Sequence, residues 1–196
     1  CSMAILKVAR MGHPVLRQLA EEIPQNALRS AELKSLVDEM FETMDEYAGI
    51  GLAAPQVHFG LRIFIIRPDP ADEESLRVAV NPVITPLSEE MSEGWEGCLS
   101  VPDIHGMVPR HVKIRLDAHD RDGKKYAVEF EDFPARVAQH EGDHLDGVLF
   151  IDRMTNLSTL AYGQEWRRYH APRPKPEEGE EGEDAEGAEA PEEGEG

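Results

Sequence analysis

Apolar positions along the chain change period several times. Between Ser30 and Ala48, Leu33, Leu36, Val37, Met40, Phe41, Met44 and Tyr47 recur every three or four residues. That is the spacing of one helix face, and it predicts a helix over 30–48 with these side chains in the core. Ser30 suits its N-terminal cap and Gly49 its end. Residues 61–67 (L-R-I-F-I-I-R) turn into a nearly continuous apolar run, a buried strand. Two more strands are predicted at 76–80 and 83–87, broken at Asn81-Pro82. Residues 112–118 alternate, and Asp120-Arg121-Asp122-Gly123 leads them into 125–131 as a hairpin. A second helix is predicted from near Pro134 to just before Gly147, and a third over about 155–169. Strands cluster between helices instead of alternating with them. The expected class is therefore α+β, antiparallel sheets packed around a central helix, with N-terminal and C-terminal helices.

Composition alters this picture mainly at the C-terminus. The 196 residues suffice for one domain with a sizeable core, and the net charge is −19. Residues 176–196 hold eleven acidic residues and no basic one, so the remainder carries only −8. Such a stretch buries too little apolar surface to offset chain entropy and reads as a disordered acidic tail. Its charge disfavours binding of a polyanion by the tail itself. The division expected is a catalytic domain over 3–170 and a tail over 171–196. No run of 18 or more apolar residues suggests a membrane span, and no signal peptide is visible. Cys1-Ser2 reads as a remnant ahead of a native start at Met3. Apart from Cys1, Cys98 is alone, which fits a reducing compartment, here the cytoplasm.

The predicted second helix carries the chemistry. Residues 139–144 read Q-H-E-G-D-H. Four residues advance a helix by about 400°, so His140 and His144 share a face one turn apart and can reach one ion. Glu141 stands beside them, where a general base for a metal-activated water belongs. Two histidines need a third ligand. The longer pattern H-E-x-x-H-x-x-G-x-x-H matches at Gly147 but puts Phe150 at its last position, and Phe cannot ligate. Glu165 is available downstream; His170 has no pattern behind it. Upstream, residues 96–100 (E-G-C-L-S) present Cys98 after a turn at Gly94-Trp95. A thiolate with two imidazoles leaves an open position for water, although Cys is also a common buried small residue. Residues 49–56 (G-I-G-L-A-A-P-Q) lack the phosphate-loop and dinucleotide patterns. Their small side chains let backbone approach a ligand closely. Equally they suit a plain helix-to-strand connection with Gln56 on the surface.

Taken in order, G-I-G-L-A-A-P-Q, E-G-C-L-S and Q-H-E-G-D-H resemble the three signature motifs of the peptide deformylase family. The resemblance extends over about residues 3–153 and includes the early G-H-P-V-L-R and the closing L-F-I-D-R-M. It implies Cys98, His140 and His144 as ligands of one divalent metal ion per chain. That ion would be ferrous iron, with Zn2+, Ni2+ or Co2+ as substitutes. It makes Glu141 the general acid/base, and Gln56 with the backbone N–H of Leu99 the oxyanion donors. Gly49, Ile50 and Gly51 become a tight wall at the formyl group. Gly97 joins the substrate-binding residues, and Val137 with Gly94-Trp95 lines a methionine pocket. The reaction implied is removal of the N-formyl group from the initiator methionine of new polypeptides, releasing formate. The partners implied are formyl-methionyl nascent peptides and, transiently, the ribosome, with no membrane or specific DNA partner. Two departures stand out. His105 occupies a position where some members place an arginine near the peptide. Arg167, Arg168, Arg173 and Lys175 form only a short basic patch before the acidic tail. Asp143 and Arg110 read equally as a pair or as two solvated charges.

Overall fold

The computed structural model describes residues 4–69, 71–72 and 75–171. The predicted tail lies outside the described residues, apart from Ala171. Helix α1 spans Ala31–Glu46, and the Ser30 side chain accepts from the Leu33 N–H as its cap. The left-handed turn that ends it falls at Ala48, with φ +51°, so Gly49 is not the reversing residue. Strand β1 (Gly51–Ala53) and a 3-10 turn (Ala54–Val57) follow.

Strand β2 (Ile63–Ile66) is buried at every position. One face, Ile63 and Ile65, packs with Leu33, Leu36, Val37, Met40 and Met44 of α1. The other, Phe64 and Ile66, packs with Ala135, Ala138 and Leu145. Burial on both faces is why this stretch reads as a continuous apolar run rather than an alternating one.

The two strands expected at 76–80 and 83–87 form a single strand, β3 (Arg77–Pro86). Its register shifts between Val80 and Val83, a bulge, so pairing continues past Asn81-Pro82. Asn81 takes φ +49°, and its side chain holds both the N–H and the C=O of Ile23, at 2.9 and 2.8 Å.

Strands β4 (Met91–Cys98) and β5 (Val101–His111) were not expected, and they replace the predicted turn at Gly94-Trp95. Gly94 pairs with Val108 and Trp95 with Met107. Glycine is needed at 94 because a Cβ there would lie 2.8 Å from Cζ of Arg136. Strands β6 (Lys113–His119) and β7 (Lys125–Glu131) form the predicted hairpin. Helix α2 runs over Asp132–Leu145, and a short α3 over Phe150–Arg153.

The predicted third helix is mostly something else. A 3-10 turn at Leu157–Thr159 leads to strand β8 (Ala161–Tyr162), and only Gly163–Tyr169 is helical, as α4. The Asn156 side chain accepts from the Ser158 N–H, and Ala161-Tyr162 pair with His105 and Ile104, which stops a continuous helix.

Two antiparallel sheets result, ordered β1-β2-β3-β6-β7 and β4-β5-β8. Helix α2 packs on both, and β1 and β4, an edge strand of each sheet, line one cleft together with His140. The first and last motifs are joined as well: Arg17 of G-H-P-V-L-R pairs with Asp152 of L-F-I-D-R-M.

Candidate metal centre

Helix α2 presents His140 and His144 on one face, with ring centroids 5.1 Å apart. Across from them, the end of β4 brings Cys98 Sγ to 3.3 Å from His144 Nε2. Donor atoms of Cys98, His140 and His144 lie within 4.8 Å of one another, and they form the metal-type cluster found among the described residues. Around one tetrahedral ion with N and S ligands, neighbouring donors sit about 3.3–3.8 Å apart, so the spacing suits a shared ion. Glu165 is exposed on α4 and is not part of this cluster. His170 instead packs its ring against Trp95 at 4.8 Å. Phe150, which interrupts the longer histidine pattern, is buried with its ring 6.3 Å from that of His140.

The two imidazoles are held in different states. Burial disfavours charge on both histidines. At His144 it wins and holds the pKa well below the usual value, leaving a neutral imidazole. At His140 hydrogen bonds with Cys98 and Glu96 outweigh it and raise the pKa well above that value. Three potential ligands, one a thiol and one a neutral imidazole, thus converge, and the residues present fit a divalent ion.

Glu96 is the residue that sequence reasoning missed, although it opens E-G-C-L-S. On β4 it points away from the outer face and into the protein, 6% exposed. Its Oε2 accepts from Nδ1 of His140 at 2.8 Å. Arg110 donates to both carboxylate oxygens, each at 2.9 Å, and Arg136 to Oε1 at 3.0 Å. Burial opposes this charge, but the Arg110 and His140 hydrogen bonds prevail and hold the carboxyl at about 2. Arg110 also reaches Asp143 at 2.6 Å, and Arg153 grips the same carboxylate at 2.8 and 3.1 Å. Asp143 and Arg110 are therefore a buried pair, not two solvated charges. The available signal was the two-residue offset from Cys98, which sets Glu96 on the opposite strand face from Gly97.

Glu141 is 4% exposed and lies against Gly51. A Cβ at position 51 would run into its carboxylate, so the small residue there makes room for Glu141 as well as for any ligand. Burial pushes the Glu141 carboxyl up to about 7, and Oε2 has no hydrogen-bond partner. Gln56 is buried, not on the surface. Its Oε1 accepts from the Ala53 N–H at 2.7 Å, which aims Nε2 at Cys98 Sγ and Ser100 Oγ, both 3.4 Å away.

A cleft of about 1320 Å³ opens onto these groups. Gly49, Ile50, Gly51, Gln56, Trp95, Gly97, Cys98, Leu99, Val137, His140 and Glu141 line it. Gly94 does not; it lies under Arg136.

A Cys-His-His donor set with an unpartnered buried carboxylate, at the foot of an open cleft, defines a metal-dependent hydrolase of the H-E-x-x-H type. Comparison with known proteins makes the class specific. Residues 5–159 match the model of the polypeptide deformylase family. A peptide deformylase of Nostoc is 44% identical over 163 residues, 80% of this chain and 90% of that one. One from Bordetella pertussis is 43% identical, over 79% of this chain and 90% of the other. The crystal structure of a class I type b peptide deformylase from Acinetobacter baumannii, bound to Met-Ala-Ser, superposes with a TM-score of 0.74. It is 41% identical and covers 78% of this chain and 100% of its own. The chain belongs to the polypeptide deformylase family. It is a hydrolase that removes the N-formyl group from newly made polypeptides.

Proposed function

We propose that Cys98, His140 and His144 hold one divalent metal ion, with Glu141 moving the proton as the formyl group of a formyl-methionyl peptide is hydrolysed to formate. The placement of Glu141 carries this reading. It is buried, its Oε2 is unpartnered, and its carboxyl is at about 7. A base titrating near neutrality can take a proton and return it to the leaving amine. When bound, the ion supplies a Lewis acid and lowers the pKa of a water beside Glu141. The Gln56 amide and the Leu99 N–H serve as donors to the oxyanion that develops on the formyl oxygen. In support, Ala53 fixes the Gln56 carbonyl so that its NH2 faces the cleft.

Gly49, Ile50 and Gly51 on one side and Gly97 on the other come from segments at the sheet edges. An extended peptide can lie between such edges and pair with their backbone. Val137 and Trp95 line the cleft near His140 and suit the methionine side chain. That the Acinetobacter relative binds Met-Ala-Ser supports a peptide in this cleft. The ion is assigned as ferrous iron, in keeping with a soft thiolate ligand and with the family resemblance, and Zn2+, Ni2+ or Co2+ are substitutes. The setting is the cytoplasm, with transient association with the ribosome. There the acidic tail opposes the basic patch that includes Arg167 and Arg168, so deleting it strengthens binding to polyanionic RNA.

The test is formate release from a formyl-Met peptide by anaerobically purified, iron-loaded protein. Glu141→Gln is expected to keep the metal and lose activity. Cys98→Ala is expected to lose the metal, and Glu165→Gln to keep it. An active Glu141→Gln variant, or full metal content without Cys98, overturns the assignment.

A further inference from the structure

The sheet that carries Cys98 has a third strand beyond the reach of the family match, which ends at residue 159. Pairing of Ala161-Tyr162 with β5 turns α4 back over the β4–β5 hairpin. There Trp166 lies flat on His105, with ring centroids 4.3 Å apart and planes within 1°. His105 in turn is in register with Gly97, and a Cβ on Gly97 would sit 2.9 Å from its Nε2. Backbone, imidazole and indole therefore stack outward from the edge strand that bears Cys98. Trp95 against His170 ties the end of α4 to the same strand. Both stacked rings are only partly buried, and both line the cleft that contains Cys98 and Glu141. At about 1320 Å³ the cleft exceeds the roughly 300–1000 Å³ of an ordinary small-molecule site. The aromatic wall forms part of the cleft's lining.

We propose that Trp166, propped flat by His105, is a specificity-determining residue for the peptide positions that follow the formyl-methionine, where it favours an aromatic or long apolar side chain. An indole face stacks on flat or apolar groups, a preference of about three- to tenfold in binding. A lone tryptophan on a short helix would swing between rotamers, whereas parallel contact with His105 fixes this plane. The inference rests on the reading of the cleft as the formyl-peptide site.

The test compares iron-loaded wild type, Trp166→Ala and Trp166→Phe on formyl-Met-Ala and formyl-Met-Ala-Phe. Wild type is expected to prefer the longer peptide by about three- to tenfold in kcat/KM. Trp166→Ala is expected to lose that preference through KM and not kcat, and Trp166→Phe to regain most of it. A preference that survives Trp166→Ala, an equal loss on both peptides, or no recovery with Phe overturns the proposal. Wild type that releases formate from neither peptide sinks the cleft reading and this inference together, a result distinct from a changed ratio. A second readout needs no turnover. The chain has two tryptophans, so, with Trp95 left in place, the difference in emission between wild type and Trp166→Phe reports the Trp166 indole. The product Met-Ala-Phe should then quench its emission saturably, and more strongly than Met-Ala; equal or absent quenching overturns the proposal.

Discussion

Nδ1 of His140 donates to Oε2 of Glu96 over 2.8 Å, and the carboxylate that receives it is itself held by Arg110 through both oxygens. The bond fixes the tautomer of His140 and leaves Nε2 free to face Cys98 and His144. Glu96→Gln keeps an acceptor but removes the charge that orients the ring. Removing such a partner of a ligating histidine costs about 10–100-fold in metal affinity. Competition with a chromophoric chelator measures this directly, and an unchanged dissociation constant would rule out an orienting role for Glu96.

Arg110 bridges Glu96 and Asp143 in the interior, with side chains 5, 5 and 10% exposed. Taking away one partner of a buried ionic pair leaves charge unpaired, at a cost of about 3–5 kcal/mol. Arg110→Met is thus expected to lower the unfolding free energy by that amount in urea melts of the metal-loaded protein. Arg153 still grips both oxygens of Asp143, whereas Glu96 keeps one bond from Arg136 and one from His140, so the damage should concentrate on Glu96 and on metal retention. A change below about 1 kcal/mol would place the pair with surface salt bridges in energetic weight.

Gly51→Ala sets a methyl group against the Glu141 carboxylate. The carboxylate must shift, and a misplacement of about 1 Å in a reacting group can cost on the order of 100-fold in rate. Expected are normal metal content, near-normal melting and a kcat at least tenfold lower. Full activity would show that Glu141 has slack that the packing does not suggest.

Tyr126 supplies a pH test remote from the metal centre. Its hydroxyl donates to the Val78 carbonyl at 2.8 Å, and burial pushes its pKa up to about 12. The folded state holds the neutral phenol, while the unfolded chain ionises near 10. Its contribution is therefore complete below pH 10 and is lost as pH climbs toward 12. Two pKa units correspond to about 2–3 kcal/mol at most. The stability gap between wild type and Tyr126→Phe should narrow by up to that much across this range. A gap that stays constant with pH would mean the hydroxyl titrates freely.

Particular elements show which relationships local pattern can carry. Helix α1, strand β2 and the β6–β7 hairpin were legible because each is written in a period of 3.6, a fully apolar run, or a period of 2 with turn residues. Strand β4 was not. Its run Met91–Cys98 includes two glycines and two glutamates, and it is a strand because β5 pairs with it and Arg136 fills the space over Gly94. The bulge in β3 was hidden for a related reason. Asn81-Pro82 looks like a break, but the Asn81 side chain holds the Ile23 backbone, the Asn81 N–H donates to the Arg62 carbonyl, and pairing with β6 resumes at Val83. The C-terminal region failed as a helix because Ala161-Tyr162 found partners in β5, a tertiary override of local preference.

By itself the sequence determined the His140–His144 pair, the neighbouring Glu141 and the short list of third ligands, since helix geometry ties residues four apart to one face. It also carried the motif order that marks the family. Only the tertiary structure shows Cys98, and not Glu165, clustered with the two histidines, because that depends on which strand end meets α2, and Cys98 stands 42 positions from His140 and 46 from His144. It likewise decided that Glu96, Arg110 and Asp143 form one buried network, and that Gly51 makes room for a carboxylate. Each of these is a contact between segments distant in sequence, and periodicity reports what an element buries, not what it buries it against.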